Sequence, residues 1–350
     1  MKIEASQVIF KSVEALTGVE VSLETIKGPD GQILIGAGNN ITPDKIEILK
    51  LNGIDRIWVK VNEFLPPVVD PQKIETAKEE IKRVFISAVE KFKIDSEQVW
   101  RASQTILSDV LKSYGDKLSL VFLVQQTDEE YTYTHEVHVS MISTLIGLEM
   151  GLKLESLSHL AFSSMIHDVG KVLVPREILL APRRLTPEEF EIMKKHVMFG
   201  ERICRKSGLN DENVLSSVRD HHEKLDGSGY LTGLRDQQIS LFARIVSVVD
   251  IYDALVSSRS YKPSWTPYKA ISELVKLASL GKLDSKVVQT MISILGLYPI
   301  GTTVMLSNGH KSIVVGVNRN NPLRPIVQTD YGEIIDLTEV RDLKVASVIE

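Results

Sequence analysis

Residues 159–171 read HLAFSSMIHDVGK. Leu160, Ser164, His167 and Asp168 fall at offsets of zero, four, seven and eight, so on a helix they share one face. The spacing predicts a helix carrying His167 and Asp168 late in its course, Gly170 as its terminator, and Lys171 just beyond. A neutral imidazole, a carboxylate and a cation then meet at one corner. Imidazole and carboxylate are good ligands for divalent transition metals, and a carboxylate has two oxygens with which to bridge a pair of them. A buried His–Asp hydrogen bond with a solvent-facing lysine is the other reading of the same residues.

Working outward, apolar residues recur at spacings of three and four in KIETAKEEIKRVFISAVEKF (73–92) and in VHVSMISTLIGLEMGL (137–152), the signature of amphipathic helices. No long alternating run interrupts this zone. The expected fold class is mainly α: a helical connecting segment over 68–127 and an all-helical domain over 128–297. Before it, residues 1–67 form a small α+β module. VSLETI, GQILIGAG and IDRIWVK read as strands, and a helix follows the Thr42-Pro43 start and stops at Gly53. Pro66-Pro67 marks a linker. After it, GTTVMLSN, KSIVVGV, RPIVQTD and GEIIDL make 298–350 a small β-rich appendage. It is too small to fold easily alone and is expected to lean on the helical domain.

Composition bounds the function. The 350 residues carry a formal net charge of −5, against a broad nucleic-acid footprint and a duplex partner. With Cys204 as the one cysteine there is no internal disulfide, and a reducing compartment fits. Flanked by Ile203 and Arg205, this thiol reads as packed core. No apolar stretch approaches a membrane span, and the first residues lack a signal-peptide pattern, so a cytoplasmic location is expected. Arg319, Asn321 and Arg324 read as solvated surface, and Trp58 and Trp265 as packing.

Further imidazoles and acids accumulate around the opening stretch. His135 leads a stripe through Val139, Ile142 and Ile146 and faces inward. Alone it would be a hydrogen-bonded core histidine, as His138 is expected to be. His196 lies on a helix in IMKKHVMFG. RDHHEKLDGSGYLTGL supplies His221 and His222, which on a helix point about 100° apart and so suit two close metals better than one. RIVSVVDIYDAL buries Asp250 among valines, which is expensive without a cationic partner; Asp253 is expected to face water. A dinuclear site is the economical account.

The ordered series YTYTH, HDVGKVLVP, KKHVMFGE, HHEKLDGSGY and RIVSVVDIYDALVSSRSYKP resembles the HD-GYP phosphodiesterases, a class of HD metal-dependent phosphohydrolases. The likeness runs from Tyr131 to near Val288. It implies metal ligation by His135, His167, Asp168, His196, His221, His222 and Asp250, with Asp168 bridging and Lys171 as the active-site lysine. It implies substrate contacts from Tyr230, Arg259 and Lys262, and two divalent ions, iron or manganese, as cofactors. The implied reaction cleaves cyclic di-GMP to pGpG, and on to GMP, through a hydroxide shared by the ions. Diguanylate cyclases or other signalling proteins, and a second copy of the chain, are the implied protein partners.

Two departures stand out. Gly229-Tyr230-Leu231 lacks the signature proline, which shapes a loop and performs no chemistry. Members with three metals carry a glutamate four residues before the first histidine; here Tyr131 stands there and Glu130 is one position off, a swing of about 100° on a helix. Two metals are therefore expected. The rival readings are a phosphohydrolase for another nucleotide, and a cyclic-dinucleotide sensor or scaffold with little or no turnover.

Overall fold

The computed structural model describes residues 8–13, 20–37, 39, 41, 43–61, 68–114, 131–257, 265–329 and 332–349. Thr42, Pro66, Pro67, Glu130, Arg259 and Lys262 lie outside the described residues. The chain is mainly helical, with short strands at either end. Two compact units form. One holds the described residues up to 61 together with those from 292 onward; the other holds 68–291.

The first unit starts with β1 (Val8–Ser12), β2 (Glu20–Ser22), β3 (Ile26–Lys27), β4 (Ile33–Ile35), α1 (Pro43–Leu51) and β5 (Arg56–Val61). It ends with β6 (Thr303–Leu306), β7 (Lys311–Gly316), β8 (Ile326–Thr329), β9 (Ile334–Asp336) and β10 (Val345–Val348). β5 lies between β1 and β2, antiparallel to both, and the last five strands form an antiparallel sheet in the order β10-β6-β7-β8-β9. Successive side chains of β5 point to opposite faces. Ile57 and Val59 join a core with Val13, Ile26, Ile35, Ile41 and Leu49, while Trp58 packs with Ile313 and Val315 of β7. Lys311 Nζ adds an ion pair with Glu24 Oε2 at 3.4 Å. Where the sequence suggests two separate modules, these contacts make one unit of them. The tail's partner is the N-terminal module, because a strand buried on both faces needs a second sheet to cover it.

Arg324, expected on a solvated surface, is instead a staple. Its guanidinium donates to the carbonyls of Leu337 at 2.6 Å, Val340 at 2.7 Å and Leu343 at 2.8 Å. Arg324→Ala should lower the stability of this unit by about 2 kcal/mol, read as a shift of its denaturant midpoint. Arg324→Lys should recover only part, since an ammonium cannot span the same fork of acceptors.

The helical unit contains α2 (Pro71–Lys91), α3 (Ser96–Ser113), α4 (Tyr131–Glu149), α5 (Leu154–Ser164), α6 (Arg176–Leu179) and α7 (Pro187–Lys194). Then come α8 (His196–Lys206), α9 (Glu212–Asp220), α10 (Leu241–Val256), α11 (Pro267–Ser279) and the start of α12 (Ser285–Leu295), whose residues from 292 belong to the first unit. Asp70 and Asp95 cap α2 and α3 through the amides of Gln72 and Gln98. α4 and α10 are buried almost all round: Val137, Val139, Ile142, Leu145 and Ile146 on one, Ala243, Ile245, Val246, Val248 and Val249 on the other. They pack against each other, so any polar group on either is committed to the interior. No helix among the described residues is long and apolar enough to cross a membrane. Cys204 is buried, and burial pushes its thiol up to about 12. It should resist alkylation at pH 8 in the native state and react only on unfolding.

Two local expectations change. α5 ends at Ser164, so His167 and Asp168 sit in the turn beyond it, ahead of a 3₁₀ segment over Val169–Leu173. Ser163 and Ser164 turn their hydroxyls onto the carbonyls of Leu160 and Ala161, a competition with the backbone ladder that weakens a helix end. Gly170 is thus no terminator. A Cβ there would lie 1.8 Å from the carbonyl oxygen of His196 and 2.4 Å from the amide of Gly200. The glycine lets the turn and α8 meet backbone to backbone. Likewise α9 ends at Asp220, leaving His221 and His222 in the turn after it.

Candidate metal centre

α4 and α10, the turn after α5, the start of α8 and the turn after α9 aim their polar side chains into one buried space. Asp168 is central to it, 1% exposed. Its Oδ1 lies 3.1 Å from His196 Nε2 and 3.6 Å from His221 Nε2. Its Oδ2 meets Lys171 Nζ and lies 3.6 Å from His167 Nε2. Asp250 Oδ1 is 3.2 Å from His135 Nε2 and 3.9 Å from His167 Nε2, and Asp250 Oδ2 is 3.8 Å from His222 Nδ1. Neighbouring rings stand close: 4.9 Å between the centres of His167 and His221, and 4.1 Å between His221 and His222. All seven residues expected as ligands therefore converge.

The tautomers bear on what the space can hold. His167 Nδ1 lies 2.9 Å from Ser164 O, His196 Nδ1 2.7 Å from Met193 O, and His221 Nδ1 3.1 Å from Val218 O. A carbonyl can only accept, so each Nδ1 keeps its proton and each neutral ring turns a bare Nε2 lone pair inward. Nε2 of His167, His196 and His221 and Oδ1 of Asp168 are buried without a hydrogen-bond partner. Acceptor atoms facing one another in a dry space are costly unless a cation joins them. Three sets among the described residues have donor atoms within 4.8 Å of one another: Asp168, His196, His221 and His222; His135, His167 and Asp250; and Glu136, His167 and Asp168. The residues fit divalent metal ions.

The electrostatics agree. Burial opposes charge on Asp168, but Lys171 and His167 hold its carboxyl well below the usual range. Asp250 is likewise held low against burial, chiefly by His135. Burial would neutralise His167, yet Glu136 and Asp168 outweigh it and lift its pKa to about 9. Burial holds His221 down at about 4 and His222 well below the histidine range. The carboxylates that favour positive charge at His167 would equally favour a metal ion on its Nε2, and His221 and His222 stay neutral, as ligation requires.

Three acids take parts that the sequence did not reveal. Asp253, expected in water, is fully buried; its Oδ2 lies 2.6 Å from His135 Nδ1 and its Oδ1 3.4 Å from His138 Nδ1. Its spacing of three from Asp250 already put both on one helix face. Glu136 is fully buried behind His167, with Oε2 3.0 Å from Nδ1; a carboxylate inside so apolar a helix was the available signal. Glu223 is buried, and its Oε1 accepts from Thr232 N at 2.7 Å, Thr232 Oγ1 at 2.8 Å and Gly233 N at 3.0 Å. It thereby ties down the loop that carries Tyr230, whose ring stacks on His222 at 4.7 Å with a 31° tilt.

Residues 117–287 match the HD domain family, whose span encloses the whole cluster. Over these residues the chain is similar to HD domains. It is 33% identical over 226 residues to a cyclic di-GMP phosphodiesterase of Pseudomonas aeruginosa, covering 65% of this chain and 54% of that one. It is 38% identical over 173 residues to a cyclic di-GMP phosphodiesterase of Thermotoga maritima, covering 48% of this chain and 45% of that one. The chain thus spans about half the length of the curated relatives it matches. Among solved structures it is similar to Bd1817, a HDG"Y"P protein from Bdellovibrio bacteriovorus, with a TM-score of 0.48 at 17% identity over 84% of this chain and 98% of that one.

Proposed function

We propose that this chain is a metal-dependent phosphodiesterase that opens cyclic di-GMP to linear pGpG. The observation that carries the reading is the set of partnerless Nε2 atoms facing Asp168 in a buried space. His135, His167 and Asp250 would hold one divalent ion, and His196, His221 and His222 another, with Asp168 shared. Iron or manganese suits this mixed ligation. Bound there, the ions would neutralise phosphate charge and lower the pKa of a water toward about 7.

The chain's own groups supply the rest. Lys171, with its side chain 26% exposed, orients Asp168 and puts a positive charge at the edge of the cluster, where a phosphoryl oxygen gains charge. Its Nζ is also a proton source for the departing 3′-oxygen. Tyr230 holds the His222 ring by stacking, and burial raises its phenol's pKa, so it stays neutral and adds no repulsion toward phosphate. Arg259 and Lys262 are proposed as contacts to the second phosphate, which selects a dinucleotide. Relatives named cyclic di-GMP phosphodiesterases support this substrate.

The test is a panel of cyclic di-GMP, other cyclic dinucleotides, pGpG and mononucleotide esters, with products resolved by chromatography. Conversion of cyclic di-GMP to pGpG faster than any other member is the expected result. Preference for a mononucleotide would overturn the substrate. Tight binding of cyclic di-GMP without turnover would make the chain a sensor.

A further inference from the structure

The imidazoles of the cluster fall into two kinds according to what stands behind them. Behind His135 is a carboxylate, Asp253, at 2.6 Å from Nδ1. Behind His167 is another, Glu136, at 3.0 Å from Nδ1. His196 and His221 have only carbonyls at that nitrogen, from Met193 and Val218. Charge follows the same division. The set His135, His167 and Asp250 is surrounded by three buried carboxylates, those of Asp250, Asp253 and Glu136. The set His196, His221 and His222 has Asp168 beside it, and Asp250 Oδ2 only at 3.8 Å from His222 Nδ1. Asp168 also reaches His167 through Oδ2 at 3.6 Å, and Lys171 offsets its charge.

Resting on the dinuclear reading above, we propose that the two metal positions are unequal: Glu136, with Asp253, makes the His135–His167–Asp250 position the tighter one and the first to fill. A carboxylate behind a ligating imidazole makes the ring a stronger donor and adds attraction for the cation, and removing such a group typically weakens metal binding by about 10- to 100-fold. Glu136 acts through charge and not by setting the tautomer, because Ser164 O already takes the Nδ1 hydrogen bond at 2.9 Å. Both Glu136 oxygens are buried and lack a hydrogen bond, so no second structural duty competes with this one. Glu136 is a positioning residue; it touches His167 and not the reacting atoms.

The full-length chain, stripped of metal, is titrated with manganese(II) while free ion is followed by electron paramagnetic resonance. Wild type is expected to take up two ions in phases separated by tenfold or more in Kd. Glu136→Gln keeps the shape and removes the charge; it should weaken the tight phase by about 10-fold or more and leave the weak phase within about threefold. Glu136→Asp should restore part of the loss. His196→Ala should abolish the weak phase and spare the tight one. Melting temperatures of the metal-free variants show whether the fold is kept. Two phases unchanged in a folded Glu136→Gln, or equal affinities in wild type, would overturn the proposal while leaving the dinuclear site intact. Absence of manganese uptake by wild type would overturn both.

Discussion

Asp168→Ala is expected to lose both metal and turnover, with kcat/KM for cyclic di-GMP falling at least about 10³-fold, as when one member of a group acting as a unit is removed. The reason is position. Within 3.6 Å or less the two Asp168 oxygens face His167, His196 and His221, and Lys171 besides. Asp168 groups with His196, His221 and His222 on one side and with His167 on the other. The metal-free variant should nevertheless fold, because it removes one of several buried acids that repel each other, and the Lys171 left behind is partly exposed. Its melting temperature should match or exceed that of metal-free wild type, and added manganese should no longer raise it. Turnover that survives this change would show that Asp168 is not the shared ligand.

The second large effect belongs to Gly170. A methyl group there would sit 1.8 Å from His196 O and 2.4 Å from Gly200 N. Both are backbone atoms, so no side-chain rotation relieves the clash, and the turn and α8 must separate. Gly170→Ala should destabilise the helical unit by more than ~3 kcal/mol, at or beyond the upper range for overpacking, and should pull His196 away from Asp168. Gly200→Ala is the control. Its Cβ would meet the side chain of Val218 at 2.7 Å and the amide of Gly170 only at 3.4 Å, so a shift of one valine absorbs much of the strain. Paired denaturant curves should rank Gly170→Ala well below Gly200→Ala; equal stabilities would contradict the close approach.

Much of this was legible in the sequence, for identifiable reasons. Histidines and acids set in apolar helical patterns announce their direction, since a residue on a wholly buried helix has nowhere else to point. That is why His135 and Asp250 could be placed facing inward on α4 and α10. Helix ends were harder. The serines before His167 divert the backbone, and His221 and His222 follow the last turn of α9; periodicity cannot locate such ends. Gly170 looked like a terminator because the same residue type serves both for stopping a helix and for letting two backbones touch. Asp253 was placed in water and Glu136 was passed over, each being near a more conspicuous neighbour. The union of the two ends of the chain rests on Trp58 meeting Ile313 and Val315, a contact between residues far apart in sequence that no local pattern encodes.

Whether these imidazoles and acids bind a pair of metal ions is tested most directly by anomalous diffraction from crystals of the full-length chain grown with manganese. Two peaks enclosed by His135, His167, Asp168, His196, His221, His222 and Asp250, both in contact with Asp168, are the predicted result. A well-ordered cluster with no peak, or manganese bound only elsewhere on the protein, would contradict it.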